Sequence, residues 1–260
     1  MNANNRRLEI FDILNRDKEV VVLDLAEKFG VTPMTIRRDL SVLEKQGIVT
    51  TYYGGASLNE GAASEPSFLL KNRNAQPEKL AIAYEATKRI KEGDSIYIDS
   101  GTTCYNIGRY LKNMKITVLT NSVRVIETLA DKDKIDIILA PGIYSRISEA
   151  ALSSSTIEFF RHHHVVKAFI SSQGFDIELG ASVPEENDGK VKSSVLSITR
   201  EAILLADHTK FGQVFFSIHG LPEDYTEIIS DEGLDAETVT ACRKKGLKLT
   251  LAPYLGKRSE

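Results

Sequence analysis

Apolar residues recur through the first fifty positions with the spacing of short amphipathic helices. A first helix, about 5–15, buries Ile10, Ile13 and Leu14. A second, about 22–29, sets Val22, Leu25, Ala26 and Phe29 at i, i+3, i+4 and i+7. Gly30 supplies the turn, Thr32 the expected N-cap and Pro33 the first residue of a third helix, about 33–46. Gly47 is the expected C′ residue that ends it. IVTTYYGGA (48–56) then runs β-branched and aromatic residues into Gly54-Gly55, the pattern of a small hairpin.

The third helix divides into two faces. At 100° per residue, Ile36, Leu40 and Leu43 fall within about 60° of one another and predict the buried side. Met34, Arg38, Ser41 and Lys45 fall opposite, with Arg37 at the flank. An ordinary amphipathic helix with solvated arginines is the alternative. The short helix and glycine turn before it, and the hairpin after it, favour a recognition helix. Such a helix needs base-edge donors and phosphate-neutralising cations on its outward side.

Near residue 58 the pattern changes. SLNEGAASEPSFLLKNRNAQPEK is rich in Ser, Asn, Ala, Pro and Gly and predicts a linker. From about 78, β-rich runs alternate with helical periods. The strand candidates are 95–99, 116–120, 135–140, 167–172, 202–207, 227–231 and 248–253. Several are almost wholly apolar, as strands covered on both faces are. Helical patterns lie between them, for example Ile107, Tyr110 and Leu111, or Val191 to Arg200. The alternation predicts an α/β fold with a doubly wound, mainly parallel sheet. The expected domains are 1–57, a linker over 58–77, and 78–260.

Composition narrows the class. A chain of 260 residues with 42% hydrophobic and 27% charged positions is neither disordered, collagenous nor disulfide-built. No apolar run approaches the length of a membrane span, and no membrane partner is expected. The N-terminus lacks the pattern of a secretory signal. Cys104 and Cys242 are far apart and suit a reducing cytoplasm, the expected location. Net charge is −3, and residues 1–57 carry eight basic and eight acidic side chains. Any DNA contact must therefore come from local placement of charge.

The chemical motifs fall at strand ends, where doubly wound sheets bind ligands. The first strand runs into Ser100-Gly101-Thr102-Thr103 and a helix. Glycine permits a tight turn, the hydroxyls add donors, and a helix N-terminus adds partial positive charge. The combination suits a phosphate monoester, although a simple N-cap fits the bare motif equally well. Thr120-Asn121-Ser122 closes the next strand, either to hold sugar hydroxyls or to cap a helix. In Asp207-His208-Thr209-Lys210, Asp207 and Lys210 are placed to reach the same pocket, the lysine as a phosphate counter-charge. A surface Asp–Lys loop is the alternative.

VTPMTIRRDLSVLEKQG and the GGA after it resemble the helix-turn-helix of the DeoR family of bacterial regulators, over residues 6–58 nearly without a gap. The resemblance implies that Thr35, Arg37 and Arg38 contact DNA and that the wing touches backbone or minor groove. The full DNA-binding set expected is Thr32, Met34, Thr35, Arg37, Arg38, Ser41 and Lys45. The family often has a basic residue and a histidine before GGA. Here the chain has Thr50, Thr51, Tyr52 and Tyr53, so this wing should neutralise fewer phosphates.

DSGTT, TNS and LADHTKFG occur in the order and spacing of the DeoR-type effector domain. That fold is shared with ribose-phosphate isomerases and glucosamine-phosphate deaminases. The resemblance implies that Asp99, Ser100, Gly101, Thr102 and Thr103 line a phosphate and sugar site, with Asn121 and Ser122 beside it. Lys192 matches a lysine usually near that site, and Asp207 and Lys210 complete its far wall. The chain departs from the family at Pro141-Gly142, at Ser153-Ser154, at Val166 and in the loop Ser172-Gln173-Gly174-Phe175-Asp176.

The resemblance implies a repressor of a carbohydrate-utilisation operon. Its partners would be double-stranded operator DNA, a phosphorylated sugar effector and further copies of itself in a homo-oligomer. No cofactor, metal or catalytic residue is expected. His162-His163-His164 projects three adjacent rings in different directions, which disfavours one shared ion. Cys104 reads as a packing residue rather than a nucleophile. One alternative is a sugar-phosphate isomerase or deaminase, which needs a base beside the substrate carbons. Related isomerases have an acid where this chain has Gln173, though Asp176 remains, and a lysine in a Gly-rich stretch where Glu178-Leu179-Gly180-Ala181-Ser182 offers none. The other is a regulator whose pocket serves only oligomerization.

Overall fold

The computed structural model describes residues 2–45, 48–59, 68–73 and 75–256. The chain divides into two compact units, Met1–Asn74 and Ala75–Glu260.

The first unit contains α1 (Ala3–Asp17), β1 (Glu19–Val21), α2 (Val22–Phe29), α3 (Pro33–Lys45), β2 (Val49–Tyr52), β3 (Gly55–Leu58) and α4 (Phe68–Arg73). Thr32 caps α3, its Oγ1 accepting from the Thr35 amide at 3.3 Å. Gly30 ends α2 in the left-handed region at φ +61°, a conformation that glycine adopts without the Cβ penalty. Gly47 lies outside the described residues.

The hairpin is one strand larger than the sequence predicts. The sheet order is β1-β3-β2, with Val20 opposite Ala56. A three-residue strand shows no period of its own, and pairing with β3 creates it. The predicted linker also differs. Leu58 closes β3, α4 falls inside 58–77, and Phe68 is buried. Residues 60–67 lie outside the described residues.

Ile10, Leu14, Leu25, Ile36, Leu40 and Leu43 form the core of this unit. Helix α3 buries one further residue that apolar periodicity does not select. Asp39 is 4% exposed, and its Oδ2 accepts from Arg6 Nε of α1 at 2.6 Å. Arg7 Nε lies 3.4 Å from the other oxygen.

The second unit contains α5 (Gln76–Thr87), β4 (Ser95–Ile98), α6 (Thr102–Tyr105), α7 (Ile107–Tyr110), β5 (Ile116–Thr120), α8 (Val123–Leu129), β6 (Ile135–Leu139), β7 (Tyr144–Ser145), β8 (Ala150–Ala151) and α9 (Ser154–Arg161). It continues with β9 (Val165–Ser171), β10 (Gly174–Asp176), β11 (Gly180–Val183), α10 (Glu186–Leu196), β12 (Thr199–Leu205), β13 (Ser217–Gly220), β14 (Glu227–Asp231), α11 (Ala236–Lys244) and β15 (Leu249–Ala252).

Seven strands make one parallel sheet in the order β15-β14-β12-β9-β4-β5-β6, and each overlaps its predicted run. The chain winds from β4 through β5 to β6. It then returns to lay β9 against the other side of β4 and continues outward to β15. The winding therefore reverses between β4 and β9, and a reversal opens a crevice at the carboxyl ends of the two strands.

Alternate residues of each strand feed two different cores. Ile96, Ile98, Val118, Phe169, Ile203 and Ile229 pack with Ala81, Ile82, Ile107 and Val125. Tyr97, Leu119, Ala168, Ile170, Leu204 and Ile228 pack with Phe160, Val191 and Val195. Two covered faces explain why these strands read as apolar runs.

The helix expected over Val191 to Arg200 instead spans Glu186–Leu196, and Arg200 lies in β12. An unpredicted antiparallel sheet, β10-β11-β13, is built from strands of three or four residues, too short to carry a pattern.

Replacing Asp39 with Ala leaves Arg6 buried without its carboxylate. Asp39→Ala should therefore lower stability by about 3 kcal/mol, read as a lower urea midpoint for the first unit. An unchanged midpoint would show that the pair contributes nothing.

Candidate functional site

The surface that the sequence assigns to DNA comprises α3 and the wing formed by β2 and β3. Thr32, Met34, Arg37, Arg38 and Lys45 are exposed, while Thr35 and Ser41 are half-buried. The Thr32 and Thr35 hydroxyls lie 3.0 Å apart. Glu44 fastens the helix to the wing, its Oε1 accepting from the Thr51 amide at 2.9 Å and the Thr51 hydroxyl at 2.5 Å. Those bonds hold the Glu44 carboxyl below its ordinary value. A groove of about 480 Å³ separates helix from wing and is lined in part by Arg37, Ser41, Tyr52 and Tyr53. Tyr53 is fully exposed at the wing tip.

One acid of the formally neutral segment, Asp39, is turned away from the outer face of α3. Asp39 is buried against Arg6, and Glu44 is bonded to Thr51, while Arg37 and Arg38 point outward. A count of charges does not show this placement, although the helical period had already set Arg38 and Lys45 opposite the apolar side.

In the second unit the polar centre stands at the winding reversal. Asp99 follows β4 and is completely buried. Its Oδ2 accepts from the Ser171 amide at 3.0 Å, the Ser171 hydroxyl at 2.5 Å and Lys192 Nζ at 2.5 Å. Ser171 ends β9, and Lys192 comes from α10. Asp188, one helical turn before Lys192, places Oδ1 3.5 Å from the same ammonium. Burial alone raises the Asp99 carboxyl, but Lys192 and the Ser171 bonds outweigh it and hold it below its ordinary value. Burial likewise lowers Lys192, and Asp188 with Asp99 outweighs that and holds it above its ordinary value. Both groups are ionised.

Gly101 is required by space rather than by torsion. A Cβ there would lie 1.7 Å from Ser171 Oγ and 3.5 Å from Asp99 Oδ2. The loops after β4 and β9 can approach only because this position has no side chain.

The structure thus gathers Asp99, Gly101 and Lys192 into one cluster. Ser100, Thr102 and Thr103 are buried in the loop and first turn beyond it. Helix α6, which carries that turn, has four residues, so it offers first-turn amides and little macrodipole.

Asn121 and Ser122 are placed differently from the sugar-contact expectation. Both are completely buried. The Asn121 amide oxygen accepts from Tyr97 OH at 2.8 Å, and its nitrogen donates to the Ala151 carbonyl at 3.1 Å. Ser122 caps α8, accepting from the Val125 amide at 3.3 Å. These side chains brace the end of β5.

Asp207 follows β12, buried, with Oδ1 accepting from the Thr209 amide at 3.1 Å and from its hydroxyl. Lys210 Nζ stands 4.0 Å from Asp207 Oδ2.

Several residues of this region were not singled out from sequence. Ser171 is one. Another is His219, whose Nε2 lies 3.1 Å from Oγ of Ser172, a residue of the loop noted in the sequence. His219 Nδ1 lies 3.0 Å from Tyr225 OH. Burial, with Lys192 nearby, pushes His219 down to about 3, so the ring is neutral. A proton on Nε2 satisfies both contacts. Ser171 and Ser172 did carry a signal, since they end a predicted strand. Only the strand order shows that this strand borders the reversal.

Cys104 is buried, and burial pushes its thiol well up, as befits a packing residue. In the histidine run, His162 Nε2 lies 3.2 Å from Glu158 and His163 Nδ1 lies 2.8 Å from the Phe159 carbonyl. No helix among the described residues is long and apolar enough to cross a membrane.

A cationic helix beside a wing, on a chain whose other unit is a doubly wound sheet with a charged cluster at its switch point, defines a DNA-binding regulator with a sensor domain. Residues 6–62 match the DeoR-like helix-turn-helix domain and residues 74–232 the DeoR C-terminal sensor domain. The chain belongs to the DeoR family of transcriptional regulators.

It is 34% identical to the HTH-type transcriptional regulator YulB of Bacillus subtilis, over 97% of this chain and 98% of that protein. It is 30% identical to the HTH-type transcriptional repressor GlcR of the same organism, over 89% of each. It is 32% identical to the lactose phosphotransferase system repressor of Lactococcus lactis, over 81% of this chain and 84% of that protein. Among solved structures, ribose 5-phosphate isomerase A of Neisseria gonorrhoeae shares 17% identity, with a TM-score of 0.36, covering 51% of this chain and 52% of that one. That likeness is too slight to carry weight.

Gly101→Ala should force the two loops apart and destabilise the second unit by about 2 kcal/mol, measured by thermal or urea unfolding. A variant as stable as the parent would show that the approach to Ser171 is not tight.

Proposed function

We propose that the protein represses a carbohydrate-utilisation operon and that a phosphorylated sugar, bound at the switch point of the second unit, controls it. The observation that carries this reading is the ionised Asp99–Lys192 pair, buried where a doubly wound sheet places its ligand. A buried charged pair is a poor way to gain stability alone, because desolvation offsets most of its attraction. The loop Ser100–Thr103 lies next to it for the phosphate, with Asp207 and Lys210 as the far wall. Relatives named as a lactose phosphotransferase system repressor and as GlcR support the sugar assignment.

On the DNA side, Thr35, Arg37 and Arg38 read the operator, with Thr32, Met34, Ser41 and Lys45 around them. Two heads are needed for paired half-sites, so the working form is a homo-oligomer. The effector acts by population shift: it binds one arrangement of the assembly better and so changes the protein's affinity for DNA.

The same site argues for sensing rather than catalysis. An isomerase base must be free to take a proton. Asp99 is occupied by Lys192 and Ser171, and Gln173 stands where related isomerases have an acid. A coupled assay on ribose 5-phosphate and hexosamine phosphates should remain at background, and turnover above it would overturn this reading.

An operator is obtained by selection from a randomised duplex library. Arg38→Ala should weaken binding to it about tenfold, measured by fluorescence anisotropy, with sugar-phosphate binding retained. Loss of both together would argue against separate modules. Lys210→Ala should reduce the thermal shift produced by the effective sugar phosphate and leave operator affinity unchanged; an undiminished shift would remove Lys210 from the site.

A further inference from the structure

A second polar cluster stands at the carboxyl ends of β12 and β14, built from three separate stretches of chain. Asp231, completely buried, ends β14. Its Oδ1 accepts from the His208 amide at 2.8 Å, and its Oδ2 lies 2.8 Å from His208 Nδ1. The same Oδ2 accepts from Tyr254 OH at 3.0 Å and from the Gly233 amide at 3.0 Å. A Cβ at Gly233 would come within 2.7 Å of Asp231 Oδ2, 2.8 Å of His208 Nδ1 and 2.9 Å of Tyr254 OH, so the cluster closes only around a glycine.

The carboxylate commits the His208 Nδ1–H and fixes the ring. The His208 side chain is 35% exposed. Nε2 is the ring nitrogen that this contact leaves uncommitted. His208 follows β12, two strand spacings from β4 and Asp99, roughly 10 Å, while Asp231 on β14 stands three spacings away, roughly 14 Å. Asp207 beside it has a buried Oδ2 with no hydrogen-bond partner.

We propose that His208 is a specificity-determining contact of the effector pocket: positioned by Asp231 and Tyr254, its Nε2 accepts a hydroxyl of the bound sugar at the end away from the Asp99 loop. The inference rests on the effector reading above. A purely structural tie would not need the outer edge of the ring, because the His208 amide already joins these two strand ends.

Two substitutions separate the roles. Asn at 208 keeps an amide where Nδ1 donates to Asp231 and removes Nε2, whereas Gln reaches toward the Nε2 position. Calorimetric Kd values are measured on the full chain for inorganic phosphate, ribose 5-phosphate, fructose 6-phosphate and glucosamine 6-phosphate. For whichever sugar phosphate binds the parent, His208→Asn should weaken binding about tenfold or more and leave inorganic phosphate unchanged, while His208→Gln recovers most of the loss. Unchanged thermal unfolding would accompany both. An Asn variant that binds the sugar phosphate like the parent, or that loses phosphate in the same proportion, overturns the role of His208 alone. A parent that binds none of the sugar phosphates overturns the effector reading, and this inference with it.

Discussion

A carboxylate with no exposed surface must be neutralised where it stands, and at Asp99 that requirement draws together three parts of the second unit. The charge sits at the end of β4. Its partners come from β9, through Ser171, and from α10, through Lys192. The backbone of the loops can come close enough only because Gly101 lacks a side chain. The winding reversal of the sheet sets the two strand ends side by side, and the ionic contact then binds α10 over them. Leaving either member of such a pair alone would strand a charge in a low-dielectric interior.

The first unit solves a related problem with the opposite aim. Its acids and bases balance in number, yet a recognition helix needs a positive outer face. Asp39 is turned inward onto Arg6, where it also anchors α3 to α1, while Glu44 stays ionised and accepts hydrogen bonds from Thr51 of the wing. The cations Arg37, Arg38 and Lys45 of α3 are exposed. Charge placement, rather than net charge, makes the surface. At the wing tip Tyr53 is fully exposed.

Much of this was legible in the chain. The i, i+3, i+4, i+7 spacing of α2 and the buried triad Ile36, Leu40 and Leu43 follow from helical period alone, and the structure buries all three. The seven strands of the parallel sheet were visible as apolar runs because helices cover both faces. The site was less legible. Asp99 and Gly101 drew notice at a strand end, but Asn121 and Ser122 have the same local appearance and serve as braces. A strand-end polar group reads alike whether it meets a ligand, a helix amide or a tyrosine. His219 and the Asp231–His208 contact gave no distinctive pattern, and Ser171 showed only as part of a strand end, since each is defined by a partner far away in sequence.

The sequence by itself determined the elements whose stability is encoded locally: the periodic helices, the apolar strands, and the glycine turn at Gly30. Those depend on neighbours within a few residues, and a linear pattern records them. Only the tertiary structure decided the order of the strands, the short pairings of β1 and of β10, β11 and β13, and the identity of the groups facing one another at the switch point. These rest on contacts across tens of residues, such as the 93 positions between Asp99 and Lys192. No local period marks such a pairing, because its energy arises only when packing has excluded water from both partners.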